Sequence, residues 1–366
     1  MSGEHNHRVN KLIKKLQNNK VDAAIIFEQS NIRYFTDFQV NQSTESVLIV
    51  ESDGRTTYLV SRLDLLRAER DCWIKNIHSF LEDTTDYLAP LRKLVRSSWK
   101  KIGIEESNIS LHHLSYIKDM FTGETVSIDS IISQQRMIKS KQEIEQLRKA
   151  ADVATLTMNK AKEYILENGL VTEREVTGYA KYTMDKHGAE NYSFEPFIMS
   201  GLDSALPRRV STTKQLVEGE LILFDMGSIY NGYCSDITRT FCLGKASTKQ
   251  KEIFQVALEA QENAIKSIKP GAISSEVDKI ARDYITKHGY GEYFPHLTGH
   301  GLGLGVHEHP IIDQGEESIL QEGMVVTIEP GIYVPSIGAA RIEDMILITK
   351  NGYEYLTSSS KNLILS

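Results

Sequence analysis

Two aspartates, Asp225 and Asp236, flank the sharpest turn signal in the sequence, Asn231-Gly232. Asn-Gly suits a two-residue hairpin turn because both central residues must take positive φ. With that pair at the turn centre, Gly227 faces Asp236 and Asp225 faces Thr238. Side chains two apart share a strand face, so Asp225 and Asp236 become diagonal neighbours on one face. Carboxylates that close repel unless a proton or a cation lies between them. Asp225 also follows the apolar run Leu221-Ile-Leu-Phe224, where an unpaired charge is costly. A divalent cation removes both penalties. A surface aspartate beside a hydrogen-bonded turn aspartate is the alternative that the hairpin alone leaves open.

A second group of chemistry-bearing residues is His296-Leu-Thr-Gly-His300-Gly-Leu-Gly-Leu-Gly-Val-His307-Glu308-His309. Glycines at 299, 301, 303 and 305 allow close backbone approach and unusual dihedrals. The histidines offer neutral nitrogen ligands and proton carriers near pH 7. The spacing is not HExxH, not the dinucleotide pattern GxGxxG, and not a P-loop. A third group is Thr327-Ile-Glu329-Pro330-Gly331 followed by Arg341-Ile-Glu343-Asp344. Each glutamate follows an apolar segment and calls for a partner if buried. The competing reading is a salt bridge from Arg341 to Glu343 or Asp344. Four carboxylates and one imidazole match two hard or borderline divalent ions, manganese, cobalt, zinc or iron.

The elements that must position these groups fall into two series. Val9 to Gln17 and Leu63 to Arg70 read as helices. Asp22 to Phe27, Ser46 to Val50, Thr56 to Val60 and Lys101 to Ile104 read as short apolar strands, with a further helix over Thr84 to Val95. Helices among such strands predict a small α/β domain over residues 1–132. Gln134 to Ser140 is polar and weakly periodic. Ser140 then stands three residues before Glu143, a capping-box spacing, and opens a long amphipathic helix through Ile144, Leu147, Ala151, Ala154, Met158, Ala161 and Ile165, closed by Gly169. Beyond it, helices are expected over Glu173 to His187, Gln250 to Ile268 and Ser274 to Lys287. Strands are expected over Glu220 to Met226, Cys234 to Phe241, Met324 to Ile328 and Arg341 to Thr349. This order predicts an α+β domain over residues 133–366, a mostly antiparallel sheet with helices on one face.

Composition narrows the function classes. The chain has 366 residues, and its net charge of -7 is opposite to the field that accompanies phosphate-backbone binding; no nucleic-acid partner is expected. No apolar run is long enough to cross a bilayer and the first residues lack a signal core, so no membrane partner is expected either. Cys72, Cys234 and Cys242 form no CxxC and lie in or beside apolar segments. They read as buried packing residues of a cytoplasmic protein.

Taken in order along the chain, these motifs resemble those of the pita-bread-fold metallopeptidases, most closely the Xaa-Pro dipeptidases (prolidases) and aminopeptidases P. The resemblance rests on Asp225, Ser235-Asp-Ile-Thr-Arg-Thr240, His300 through Glu308, Thr327 through Tyr333 and Arg341 through Asp344. It extends to Ile138-Lys-Ser-Lys and to Asn31-Ile-Arg-Tyr-Phe-Thr36. It implies a creatinase-like N-terminal domain before a pita-bread catalytic domain, and a homodimer. It further implies two divalent ions held by Asp225, Asp236, His300, Glu329 and Glu343, with Asp236 and Glu343 bridging them about 3.5–4 Å apart. Glu329 would double as general base, and His307 would hydrogen-bond the developing tetrahedral oxygen. His296 would line the pocket for the residue after the scissile bond. Arg341 would orient Glu343 or close the site, Thr238 would support a bridging carboxylate, and Phe194, Phe197, Ile198, Leu206 and Tyr230 would wall a proline pocket. Where the family usually has histidine after Ser-Ala-Leu-Pro, this chain has Arg208. Arginine is no base at neutral pH but grips a carboxylate bidentately.

The expected activity is cleavage of the bond preceding proline in Xaa-Pro dipeptides or short peptides. The alternatives are an aminopeptidase P acting on longer Xaa-Pro peptides, a hydrolase of another small amide, and a non-catalytic peptide-binding protein on the same fold.

Overall fold

The structure, a computed structural model, describes residues 2–40, 44–81, 89–207 and 209–365. The chain divides into two compact units, Met1–Gln135 and Arg136–Ser366.

In the first unit, a mixed sheet of six strands runs in the order Ile77–Phe80, Thr56–Ser61, Val47–Glu51, Ala23–Ile26, Lys101–Ile104 and Glu124–Ser127. The expected hairpin of Val47–Glu51 with Thr56–Ser61 is antiparallel, and Ala23–Ile26 pairs parallel with Lys101–Ile104. The central strands are buried on both faces, as their unbroken apolar runs require. The helix expected over Thr84 to Val95 is present as Ala89–Leu94; positions 82–88 lie outside the described residues. The polar segment near 134 is helical over Asp129–Met137, with Ile132 buried, and the division between the two units falls within it.

The second unit begins with the 28-residue helix Lys141–Asn168. It carries the expected reciprocal cap between Ser140 and Glu143 and ends at Gly169, φ 68°. Glu173–Lys186, Thr248–Ser267 and Ser274–Lys287 are also helices. Strand alternation then separates two faces. Ile222, Phe224 and Met226 of strand Leu221–Met226 pack with the first two helices, whereas Leu223 joins Met199, Tyr333 and Ala339 on the opposite side. Val326, Ile328, Ile346 and Ile348 pack with the second helix pair. The helices cover one face, and the acidic motifs project from the other.

The single antiparallel sheet expected here is divided. Strand order is Ile364–Leu365, Ile237–Leu243, Leu221–Met226, Phe197–Ser200 in one sheet and Glu308–Ile312, Gly299–Gly301, Val325–Ile328, Asp344–Thr349, Gly352–Tyr355 in another. Two- and three-stranded ribbons complete the set. Two segments expected as continuous strands are interrupted where the chain changes sheet. Cys234 to Phe241 breaks at Ser235-Asp236, and Arg341 to Thr349 breaks at Ile342-Glu343. Among the described residues, no helix is long and apolar enough to cross a membrane. Cys72, Cys234 and Cys242 are buried free thiols.

Candidate metal centre

The Asn-Gly turn forms as its chemistry demands, with Asn231 at φ 45° and Gly232 at φ 83°. Tyr230 pairs with Tyr233, Met226 with Ile237 and Asp225 with Thr238, so one register runs through the hairpin. Asp225 is set within a strand. Asp236, Glu329 and Glu343 each stand just outside one: between Tyr233–Cys234 and Ile237–Leu243, after Val325–Ile328, and between Gly338–Arg341 and Asp344–Thr349. A carboxylate at such a break can turn its side chain inward without giving up ladder hydrogen bonds.

Donor atoms of Asp236, His300 and Glu343 lie within 4.8 Å of one another, all three residues buried. His300 Nε2 is 3.2 Å from Glu329 Oε1 and 3.8 Å from Asp236 Oδ2. Its Nδ1 lies 3.0 Å from the Gly301 carbonyl. A carbonyl only accepts, so Nδ1 carries the proton and Nε2 is the nitrogen turned to the acids. Thr327 ties the group together: its hydroxyl accepts from His300 N at 3.0 Å and donates to Glu329 Oε1 at 3.1 Å. Thr238 Oγ1 donates to Glu343 Oε2 at 2.7 Å, the support expected of it.

Electrostatics single out the same atoms. Burial, then the charges of Glu343 and Asp225, push Asp236 well above the usual carboxylate range. Burial, then Glu329 and Asp225, does the same to Glu343. Burial raises Asp225 to about 6 despite Arg341. Burial works against Glu329 too, but the His300 hydrogen bond and the charges of His300 and Arg341 prevail and hold it at about 2. Buried Asp225 Oδ1 and Glu343 Oε1 have no hydrogen-bond partner. Buried acceptors without donors are costly, and four crowded acids cannot all ionise without added positive charge. The residues therefore fit divalent cations: oxygen donors, one imidazole nitrogen and orphaned lone pairs.

Several expectations are corrected. Arg341 does not hydrogen-bond Glu343 or Asp344. It donates to Asp225 Oδ2, to Tyr333 Oη at 2.7 Å and to Thr238 Oγ1 at 3.2 Å, and is buried among these groups. Asp344 instead receives Arg239 at 2.6 Å and Lys361 at 2.7 Å. The four glycines are not used for unusual dihedrals, since none has positive φ. At three of them the role is clearance: a Cβ on Gly299 would stand 1.9 Å from Thr327 O, on Gly301 2.3 Å from His309 O, and on Gly303 2.9 Å from Glu308 Oε2. Of the expected proline walls, Ile198 packs in the helix-side core, Tyr230 lies at the hairpin tip under Lys149, and Leu206 is exposed. Phe194 lies 6.4 Å from Phe197, ring centre to ring centre. Phe197 lies directly opposite Asp225 across the ladder. Arg208 lies outside the described residues.

His296 is held edge-on between Phe294 and Tyr333, ring centres 5.0 and 5.4 Å away, with its buried Nε2 free of hydrogen bonds. His307 is exposed, its ring centre 4.4 Å from that of His300. Sequence reasoning missed Arg239, among the largest fully buried side chains. Its guanidinium donates to Ser359 O, Thr238 O, Glu343 O and Asp344 Oδ1, bracing the backbone at Glu343. The available signal was an arginine between Ile237 and Phe241 on an otherwise apolar strand face.

Comparison with known proteins agrees with this geometry. Residues 145–350 match the model of metallopeptidase family M24, and residues 8–138 match the creatinase/prolidase N-terminal domain. The chain is 39% identical over 360 residues to an Xaa-Pro dipeptidase of Pyrococcus horikoshii, covering 98% of this chain and 99% of that one. It superposes on the crystal structure of the prolidase from Pyrococcus horikoshii OT3 with a TM-score of 0.91 at 38% identity, covering 98% of this chain and 100% of the other. An X-Pro aminopeptidase from Thermotoga maritima gives a TM-score of 0.88 at 31% identity, covering 97% and 99%. With a family match that takes in all five acids and imidazoles of the cluster, this chain belongs to metallopeptidase family M24.

Proposed function

We propose that this protein hydrolyses the peptide bond preceding proline in Xaa-Pro dipeptides, using two divalent ions held by Asp225, Asp236, His300, Glu329 and Glu343. The convergence of Asp236, His300 and Glu343 within 4.8 Å, beside acceptors that no protein donor satisfies, carries the reading. Similarity to Xaa-Pro dipeptidases along nearly the full chain supports the substrate class.

Bound divalent ions supply Lewis acidity toward the scissile carbonyl and an acidified water. The remaining work falls to the chain. Glu329, kept ionised by His300 and Arg341, is in the form that accepts a proton from the attacking water. His307 donates a hydrogen bond to the carbonyl oxygen as it gains charge. His296, wedged between two aromatic rings, borders the pocket after the scissile bond, with Phe197 as an apolar wall. A bond before proline has no N–H, so such a pocket selects by ring shape rather than by a donor contact. Arg208, where the family usually has histidine, is assigned to the free C-terminal carboxylate of a dipeptide substrate. This favours dipeptides over the longer peptides of an aminopeptidase P.

Manganese is the ion assigned, since hard oxygen donors dominate the set. Three buried free thiols support a cytoplasmic location. Exposed Leu63 and Leu66, two large apolar side chains three residues apart, support a homodimer, because exposed apolar surface favours association.

The test is hydrolysis by chelator-treated protein reloaded with manganese, cobalt, zinc or iron, on Xaa-Pro dipeptides, longer Xaa-Pro peptides and Xaa-Ala controls. Metal-dependent cleavage confined to Xaa-Pro dipeptides is the expected outcome. Cleavage that survives chelation, or equal cleavage of Xaa-Ala, overturns the reading.

A further inference from the structure

The glycine-rich stretch between His300 and His307 is wrapped around a carboxylate. Glu308 Oε1 accepts from the Gly305 backbone N–H at 2.7 Å and from the Arg136 guanidinium. Lys139 Nζ lies 3.6 Å from Oε2. The Glu308 side chain is only 9% exposed, and Lys139 and Arg136 are 1% and 11% exposed, so this is a desolvated cluster of one acid and two bases. At Gly303 the loop leaves no room for a side chain: a Cβ there would stand 2.9 Å from Glu308 Oε2 and 3.0 Å from Oε1, whereas one on Gly305 would make an ordinary contact at 3.5 Å from Oε1. Further backbone bonds fix the same turn: Gly303 N donates to Gly305 O at 2.9 Å, and Cys234 N to Gly303 O at 2.7 Å.

Glu308 is not one of the five cluster residues, and its carboxylate meets the loop at Gly303 and Gly305. It is, however, the residue next to His307. His307 is exposed and stands outside any strand. Its ring nevertheless sits 4.4 Å from His300, tilted by 56°. The residue adjoining it in the chain, Glu308, is firmly anchored. Charge-assisted hydrogen bonds in a desolvated setting are the strongest positional constraints that side chains offer.

We infer that Glu308 is a positioning residue: clamped by Arg136 and Lys139, its carboxylate is the post around which the 301–307 loop folds, and it sets the place of the His307 ring beside His300. This rests on the assignment of His307 to the reacting carbonyl. A loop that places a hydrogen-bond donor at a charge-developing oxygen acts on kcat rather than on substrate affinity.

The experiment compares wild type, Glu308→Gln, His307→Ala and the double variant, all loaded with manganese, on an Xaa-Pro dipeptide. Glu308→Gln keeps the side-chain size and an acceptor for Gly305 N–H but removes the charge that draws in Arg136. It should lower kcat 10- to 100-fold and change KM less than about threefold, with metal content unchanged. In the His307→Ala background the same substitution should cost less than about twofold, because its effect runs through the histidine. An equal loss with and without His307, or no loss at all, overturns the inference. If Glu308→Gln does not fold, Arg136→Gln loosens the same carboxylate from its other side and must show the same dependence on His307. A second readout needs no substrate: in ¹⁵N-histidine spectra of zinc-loaded protein, Glu308→Gln should shift or broaden the His307 ring signals and leave those of His78 unchanged. Unmoved His307 signals overturn the inference. Wild-type protein without Xaa-Pro hydrolysis but with moved His307 signals overturns the peptidase reading instead.

Discussion

Arg341 donates from Nη2 to Asp225 Oδ2, while the other oxygen of the same carboxylate is buried without a hydrogen-bond partner. One face of the acid is thus fixed by the protein and the other is left for a cation. The same guanidinium reaches Tyr333 Oη and Thr238 Oγ1, and Thr238 in turn holds Glu343. Arg341 is the link through which two acids from distant segments of the chain share one support.

Lysine should not replace it. Arg341→Lys keeps the charge but cannot serve three acceptors from one planar group. The expected loss is 10- to 100-fold in kcat/KM, with a comparable weakening of the apparent manganese activation constant. Titration of activity against free manganese measures both; wild-type values for both would remove Arg341 from the support of Asp225.

Asp236 and Glu343 should trade stability for activity. Burial and the charges of neighbouring acids raise both carboxyls in the chain alone, so each destabilises the metal-free fold. Asp236→Asn and Glu343→Gln should abolish hydrolysis while stabilising metal-free protein by about 1–3 kcal/mol. Thermal melts in chelator read the second effect, which is expected to vanish or reverse on adding manganese to the wild type.

Lys162 supplies a pH-dependent stability change away from the site. Its ammonium donates to Ser359 Oγ at 3.2 Å and Ser360 O at 3.0 Å, and burial, then the charge of Arg239, lowers it from 10.5 to about 8. The folded state therefore holds this proton less tightly than the unfolded chain. The resulting penalty is fully present below pH 8 and is relieved as pH rises from about 8 to 10.5, so this group makes stability increase with pH. The shift corresponds to at most about 3 kcal/mol. Denaturant unfolding of wild type and Lys162→Met across that range should show the wild type gaining on the variant; parallel curves would contradict the assignment.

Two glycines should respond oppositely to alanine. A Cβ on Gly299 would stand 1.9 Å from Thr327 O, next to the threonine that supports His300 and Glu329. Gly299→Ala should cost more than about 2 kcal/mol and most of the activity. Gly178, inside helix Glu173–Lys186, has nothing within 4 Å of that position, and Gly178→Ala should stabilise by up to about 1 kcal/mol. Melting temperatures of the two variants check both signs.

Much of the local structure was legible from residue types. The hairpin register from Asp225 to Thr238 follows from Asn231-Gly232, and the start of the long helix follows from Ser140 and Glu143. The breaks at Asp236 and Glu343 were not legible. An apolar, β-branched run reads as one strand whether or not its hydrogen-bond partners change midway, and only the partners decide where it bends. The clearance role of the glycines was hidden for a similar reason, since the atoms they make room for come from distant segments.

By itself the sequence determined what its neighbours within a few residues could satisfy: caps, turn dihedrals, strand faces, and the inventory of oxygen and nitrogen donors. Tertiary structure decided which donors meet, that Arg341 serves Asp225 rather than Glu343, and that Glu308 faces the glycine loop. The division is physical. A cap or turn is settled by short-range sterics and hydrogen bonds, whereas a buried acid finds its partner only after the cores behind it have fixed how the strands carrying each residue lie against one another.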